Sequence, residues 1–170
     1  VLDGGVFEHA RMEYKEGWNP EVVLHTVCAF ANDIDNWGGG YVVIGVSQRD
    51  GAFVPVGVDE AAVDRWLKDM LNKCKLIRPA YMPVCDVVRH DGKTFIVLWC
   101  PGGSVRPYSA PKTLSKGESG RVCYIRKMAS TVQPSDEELR DLYSLANNVP
   151  FDDRPNHAAK IEDLNLTLIR

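Results

Sequence analysis

Three consecutive glycines, Gly38-Gly39-Gly40, separate a helical stretch from an apolar strand, and this junction constrains the fold more than any other part of the chain. Upstream, Asn19 offers an N-cap and Pro20 the first helical position, where a missing N–H costs nothing. Val23, Val27, Phe30 and Ile34 recur at helical spacing and predict a helix over 20–34. The glycines stop that helix and supply the positive φ angles a tight turn needs. Tyr41–Val46 is a near-continuous apolar run rich in β-branched residues, which predicts a central strand covered on both faces. A short strand over Met12–Glu16, carrying Glu13-Tyr14-Lys15, precedes the helix. Strand, helix, turn and buried strand in this order predict an α+β domain. Its sheet is expected to be mixed, mainly antiparallel and flanked by helices.

The rest of the chain extends that reading. Arg49-Asp50-Gly51 is a turn signal, and Phe53–Val56 is expected to return as a hairpin partner. Asp59 can cap a second helix over 60–74. There Val63, Trp66, Leu67, Met70, Leu71 and Cys74 form one apolar stripe. Val84–Arg89 and Thr94–Cys100 flank His90-Asp91-Gly92-Lys93, a strong hairpin signal. Pro101–Gly120, rich in Pro, Gly and Ser, reads as a long loop of the kind that carries function. Arg121–Arg126 reads as a further strand. Ser135-Asp136-Glu137-Glu138 is a capping box opening a helix over 137–147, with Leu139, Leu142, Tyr143 and Ala146 on its apolar face.

The expected organisation is one domain over 1–148, with 149–170 a linker and the start of a following region. The amphipathic segment Ile161–Arg170 stops without a C-cap, so the chain is expected to be cut from a longer protein. A chain of 170 residues, 45% hydrophobic, is long enough for one such core. No apolar run approaches the ~20 residues that span a bilayer, so no membrane is expected among its partners. Cys28, Cys74, Cys85, Cys100 and Cys123 form no C-x-x-C pair, and no histidine pair has zinc-ligand spacing. An odd, scattered count of thiols suits a reducing cytoplasm.

Familiar catalytic signatures are missing. A P-loop needs Lys-Ser/Thr after its last glycine, and here Tyr41-Val42 follows. No serine lies in G-x-S-x-G, and His9, His25, His90 and His157 are dispersed. No cofactor and no metal ligand set is expected. Net charge is −3, which speaks against a polyanionic partner. The distribution speaks for one. Between Ala61 and Lys127 stand 13 Lys and Arg residues against five acids, and the flanks are acidic. Phosphate binding follows local potential, not the total. A solvated mixed surface is the plainer account of the same charges.

Several pieces then recur in a recognisable order. Glu13-Tyr14-Lys15 lies on the first strand. Ala29-Phe30-Ala31-Asn32 ends the helix. Gly39-Gly40-Tyr41-Val42-Val43-Ile44-Gly45-Val46 forms the turn and strand. The Thr94–Cys100 hairpin strand and Tyr124-Ile125-Arg126 follow, before a polar stretch and a helix. Together, across residues 8–148, they resemble the Schlafen-type AlbA-like (divergent-AAA) domain. The resemblance implies a nucleic-acid-binding module, with DNA favoured over RNA, at the N-terminus of a bacterial transcriptional regulator. It also implies further domains of the same protein. A homodimer is expected, since regulators often read two half-sites.

Within that frame the expected phosphate contacts are Lys15, Arg106, Lys112, Lys116, Arg121, Arg126 and Lys127, with Tyr108 placed to stack on an unpaired base. The alternative is a metal-dependent ribonuclease, because some members of the family cut structured RNA with three carboxylates. Glu8 and Glu13 show the five-residue spacing of two of them. The third position holds Gln48, which brings no charge, and Asp50 could substitute only if its turn bends inward. Glu13 has a simpler use as the ion-pair partner of Lys15 or a nearby Arg. A dimerisation scaffold without nucleic-acid contact is the third reading.

Overall fold

The computed structural model describes residues 10–49, 51–115 and 120–146. The elements run β1 (Met12–Lys15), α1 (Pro20–Asn32), β2 (Gly40–Ile44), β3 (Val46–Arg49), β4 (Ala52–Pro55) and α2 (Glu60–Cys74). Then come β5 (Val84–His90), β6 (Lys93–Cys100), β7 (Ser109–Pro111), β8 (Arg121–Cys123), β9 (Ile125–Lys127), β10 (Ser130–Val132) and α3 (Asp136–Ala146). The main sheet has the order β1-β2-β6-β5. The β1–β2 pair is parallel and the other pairs are antiparallel, so the expected mixed α+β class holds. Three two-stranded antiparallel ribbons complete the fold: β3–β4, β7–β8 and β9–β10.

Helix α1 is the centre of the molecule. Its residues Val23, Leu24, Val27, Cys28 and Phe30 share one core cluster with Val42 and Ile44 of β2 and Ile96 and Leu98 of β6. Its other side meets β7, β9 and β10. A 13-residue helix of such composition is marginal alone. Burying Leu24, Val27 and Phe30 contributes about 1.5–3 kcal/mol each, so tertiary packing, not propensity, holds it.

The helix stops earlier than the glycines suggest. Asp33 takes a left-handed conformation (φ 38°), and its carboxylate accepts the amides of Trp37 at 3.0 Å and Gly38 at 2.9 Å. Side-chain capture of the next turn thus ends α1 two residues before Ile34. Glycine is required at Gly39 for a different reason: a Cβ there would lie 1.9 Å from the Cys100 carbonyl oxygen.

Two expectations for the central strand are corrected. Tyr41–Val46 is not one strand: Gly45 (φ 113°) breaks it into β2 and β3. The Gly45 amide bonds the Lys15 carbonyl at 2.7 Å, and its own carbonyl accepts Val56 and Gly57 at 2.8 Å. The strand's two sides are also covered unequally: the outer one has only the small cluster of Tyr14, Val46 and Phe95, with Val43 and Phe53 packed on it. Val42 and Ile44 face α1. On the other side the cross-strand neighbours Tyr41 and Trp99 are 37% and 43% exposed. Met12, Tyr14, Val43, Val88, Phe95 and Val97 line an apolar groove with Tyr41 on this outer face.

Local signals read elsewhere hold. α2 begins at its Asp59 cap, whose carboxylate accepts the Ala61 amide at 3.0 Å. Asp91 and Gly92 both have positive φ in the β5–β6 hairpin, as a two-residue turn requires. The capping box closes in both directions: the Ser135 amide donates to Glu138 at 2.8 Å, and the Glu138 amide to the Ser135 hydroxyl at 3.3 Å. Leu142 is buried, but Tyr143 is exposed.

Candidate nucleic-acid interface

The first cluster of expected site residues lies where β1 meets β9. Glu13 is 5% exposed, and both of its oxygens are engaged. Oε1 pairs with the Lys15 ammonium, and Oε2 accepts Arg126 Nη1 at 2.6 Å. Arg126 is itself 6% exposed. Its Nη1 also donates to the Thr131 hydroxyl at 3.0 Å and its Nη2 to the Met12 carbonyl at 3.4 Å. Its guanidinium lies 5.3 Å from the centre of the Phe30 ring. Arg126 is therefore no surface contact. It is a buried charge that ties the β9–β10 ribbon to β1 through Glu13. A divalent ion at Glu13 would have to displace one of these two cations.

The remaining residues of the carboxylate alternative are not brought into view, because Glu8 and Asp50 lie outside the described residues. Gln48 is exposed on the β3–β4 ribbon, opposite Phe53. Among the described residues, no three His, Cys, Asp or Glu side chains are placed to hold a metal ion.

Other expected contacts are also paired. Arg106 reaches Asp33 Oδ2 at 3.6 Å and donates to the carbonyls of Asp33 at 3.1 Å and Gly103 at 2.8 Å. This clamp closes the stretch after β6 over the end of α1. Lys127 pairs with Glu138 at 2.7 Å. That pair and the Ser135 amide hold the Glu138 carboxyl below its ordinary range. Tyr108 is buried, so it offers no ring to a base. The reason is Asn32, whose fully buried amide group makes three bonds. It donates to the carbonyls of Tyr108 at 2.9 Å and Tyr124 at 2.7 Å, and it accepts the Tyr108 amide at 2.6 Å. The last residue of A-F-A-N thus anchors the segment that looked like an open loop.

Two expected contacts differ from these. Arg121 and Lys112 are exposed and have no carboxylate partner among the described residues. Arg121 lies on β8 opposite Pro111, the last residue of β7, and Lys112 follows directly. Lys116 lies outside the described residues. Sequence reasoning singled out neither Lys75 nor Arg78, both exposed beside Arg121 at the end of α2. Their only sequence signal was membership of the basic middle segment.

The thiols behave as packing groups. Cys28, Cys74 and Cys100 are buried, and no cysteine is in a disulfide. Burial pushes the Cys28 and Cys74 thiols up to about 12.

Residues 8–135 match the family model described as Schlafen, AlbA_2. The chain belongs to the Schlafen AlbA_2 family. The N-terminal domain of a RecG-related protein from Nitrosomonas europaea, named for an ATP-dependent DNA helicase, is similar at 28% identity with a TM-score of 0.54. The likeness covers 76% of this chain and 86% of that one. The DIP2311 protein from Corynebacterium diphtheriae shares the fold at 16% identity with a TM-score of 0.54. There 84% of this chain matches 26% of the other. No curated protein matches the chain. The fold here sets α1 between a main sheet and short ribbons, and no described helix is long and apolar enough to cross a membrane.

Proposed function

We propose that this AlbA_2 domain binds nucleic acid, DNA in preference to RNA, as a module of a cytoplasmic bacterial transcriptional regulator with further domains. The observation that carries the proposal is the pair Arg121 and Lys112, both exposed at the β7–β8 ribbon without a counter-carboxylate among the described residues. Family membership and the likeness to a domain named for a DNA helicase support the choice of ligand. Lys and Arg in such a setting neutralise phosphates and release counterions, giving salt-dependent, weakly sequence-selective binding. The test is a gel-shift titration with duplex DNA from about 50 to 200 mM salt. Binding that weakens steeply over that range is expected. No complex at the low-salt end, or a complex insensitive to salt, overturns the proposal.

A homodimer belongs to the same proposal. The outer face of the main sheet exposes Tyr41, Trp99, Val84 and Val88, and Asp86 is the one acid that the sheet register puts on that side. Two copies can meet there with little like-charge repulsion. Light scattering should show a dimer that Trp99→Lys converts to monomer; a monomeric parent protein rules it out.

A further inference from the structure

We infer that the phosphate-contacting surface is a ridge built by the C-terminal end of α2 and the β7–β8 ribbon, with Lys75, Arg78, Lys112 and Arg121 as its contacts to a sugar-phosphate backbone. The inference rests on the nucleic-acid reading above and assigns that reading a place.

The construction starts from the last turn of α2 and the residues after it, whose carbonyls have no helical partner. Arg121 Nη2 donates to the Leu76 carbonyl at 2.6 Å and to the Ser109 carbonyl at 2.7 Å, and its Nε to the Ser109 hydroxyl at 3.3 Å. Arg78 Nη1 donates to the Lys75 carbonyl and to the Ile77 carbonyl at 2.9 Å. The Arg78 backbone pairs with Ser109 in both directions, at 2.9 and 2.7 Å. Both arginines are thus fixed around Ser109 and one helix end.

The guanidinium donors left over matter most. Arg121 Nη1 and Arg78 Nε and Nη2 have no acceptor among the described residues, although both side chains are exposed and oriented. Among the described residues, Lys75 bonds only the Asn72 side-chain oxygen, at 3.2 Å, and the Lys112 side chain has no partner. No carboxylate lies within ion-pairing distance of any of the four among the described residues, whereas Lys15, Arg106, Arg126 and Lys127 each have one.

Capping the helix terminus accounts for part of this charge only. A helix C-terminus presents roughly half a negative charge. Four cations exceed that several-fold. A polyanion offsets the excess, and pre-fixed arginine forks suit phosphate oxygens.

The experiment is fluorescence anisotropy of the chain with a labelled DNA duplex, an RNA duplex of the same sequence, and phosphatidylserine vesicles, across a salt series. The Lys75→Gln/Lys112→Gln variant removes no structural bond beyond Asn72. It should lower the slope of log K against log salt by ~1.8, two contacts at ~0.9 each. Arg78→Gln/Arg121→Gln should do the same, provided its circular dichroism spectrum is unchanged. Lys68→Gln, on the same helix but paired with Asp64, should leave the slope as it is. The duplex bound more tightly names the nucleic acid. An unchanged slope in the lysine double variant overturns the ridge and leaves nucleic-acid binding standing. No binding of either duplex by the parent protein overturns both, and binding to vesicles alone assigns the ridge to a membrane surface instead.

Discussion

Replacing Glu13 by glutamine tests whether that carboxylate is structural. The substitution keeps shape and removes charge. Lys15 can turn toward water, since 29% of its side chain is already exposed. Its loss is that of a surface pair, ~0–1 kcal/mol. Arg126 cannot turn. It stays buried with Thr131 and the Met12 carbonyl and no opposite charge, a situation that typically costs about 3–5 kcal/mol. Against a domain stability of ~5–15 kcal/mol this is a large fraction. At about 2–4 °C per kcal/mol the midpoint should fall by roughly 6–20 °C. Urea denaturation followed by tryptophan fluorescence reads the loss directly. The paired replacement Glu13→Leu with Arg126→Met should recover most of it, because removing both buried charges is often neutral or better. A loss below about 1 kcal/mol in Glu13→Gln would refute the argument. So would a double variant no more stable than the single one. The same measurement bears on the ribonuclease alternative. A carboxylate kept for metal in a cluster of like charges should, once neutralised, leave stability unchanged or raise it.

Three further outcomes follow from the same geometry. Asn32→Ala removes the bonds to the Tyr108 amide and the Tyr124 carbonyl, at about 1–3 kcal/mol each, leaves the Tyr108 carbonyl with the Cys28 thiol, and should expose the 101–115 stretch to limited proteolysis well before the rest of the domain. The Glu21 carboxyl is held below its ordinary value by the Leu114 amide and then the Thr113 hydroxyl. A depressed folded-state value adds stability above the unfolded value, lost as pH falls through the folded one, so Glu21→Gln should flatten the acid limb of a stability–pH curve below about pH 4.5. Cys28, Cys74 and Cys100 should resist a thiol reagent until urea unfolds the chain, while the half-buried Cys85 and Cys123 react earlier.

The parts of this fold legible in the sequence are those decided by neighbours in the chain. The bounds of α2, the Asp91-Gly92 hairpin and the Ser135–Glu138 box depend on residues within four positions of each other. The break at Gly45 was signalled by a glycine inside an apolar run, yet β-branched neighbours on both sides outweighed it. The early end of α1 gave no such signal, because it depends on how the Asp33 carboxylate folds back on the next turn. The same division governs the candidate site. Seven cations were singled out by position, and a one-dimensional reading cannot see that Arg126 meets a carboxylate 113 residues away.

Pairing of that kind separates two uses of the same residue types. Where a cation meets a carboxylate, as at Glu13, Asp33 and Glu138, it joins elements distant in sequence: β1 to β9, α1 to the stretch after β6, and β9 to α3. Where a cation meets only neutral oxygens, as at Arg78 and Arg121, the charge is oriented but not neutralised. The first arrangement is neutralised within the domain, although the buried Arg126 Nε has no hydrogen-bond partner among the described residues. The second remains short of negative charge until something outside the described residues supplies it. A net charge of −3 conceals this, since the acids that produce it lie elsewhere. On the proposed reading, the cations to test first are those oriented without a carboxylate at the end of α2, and the paired cations beside strand β1 come second.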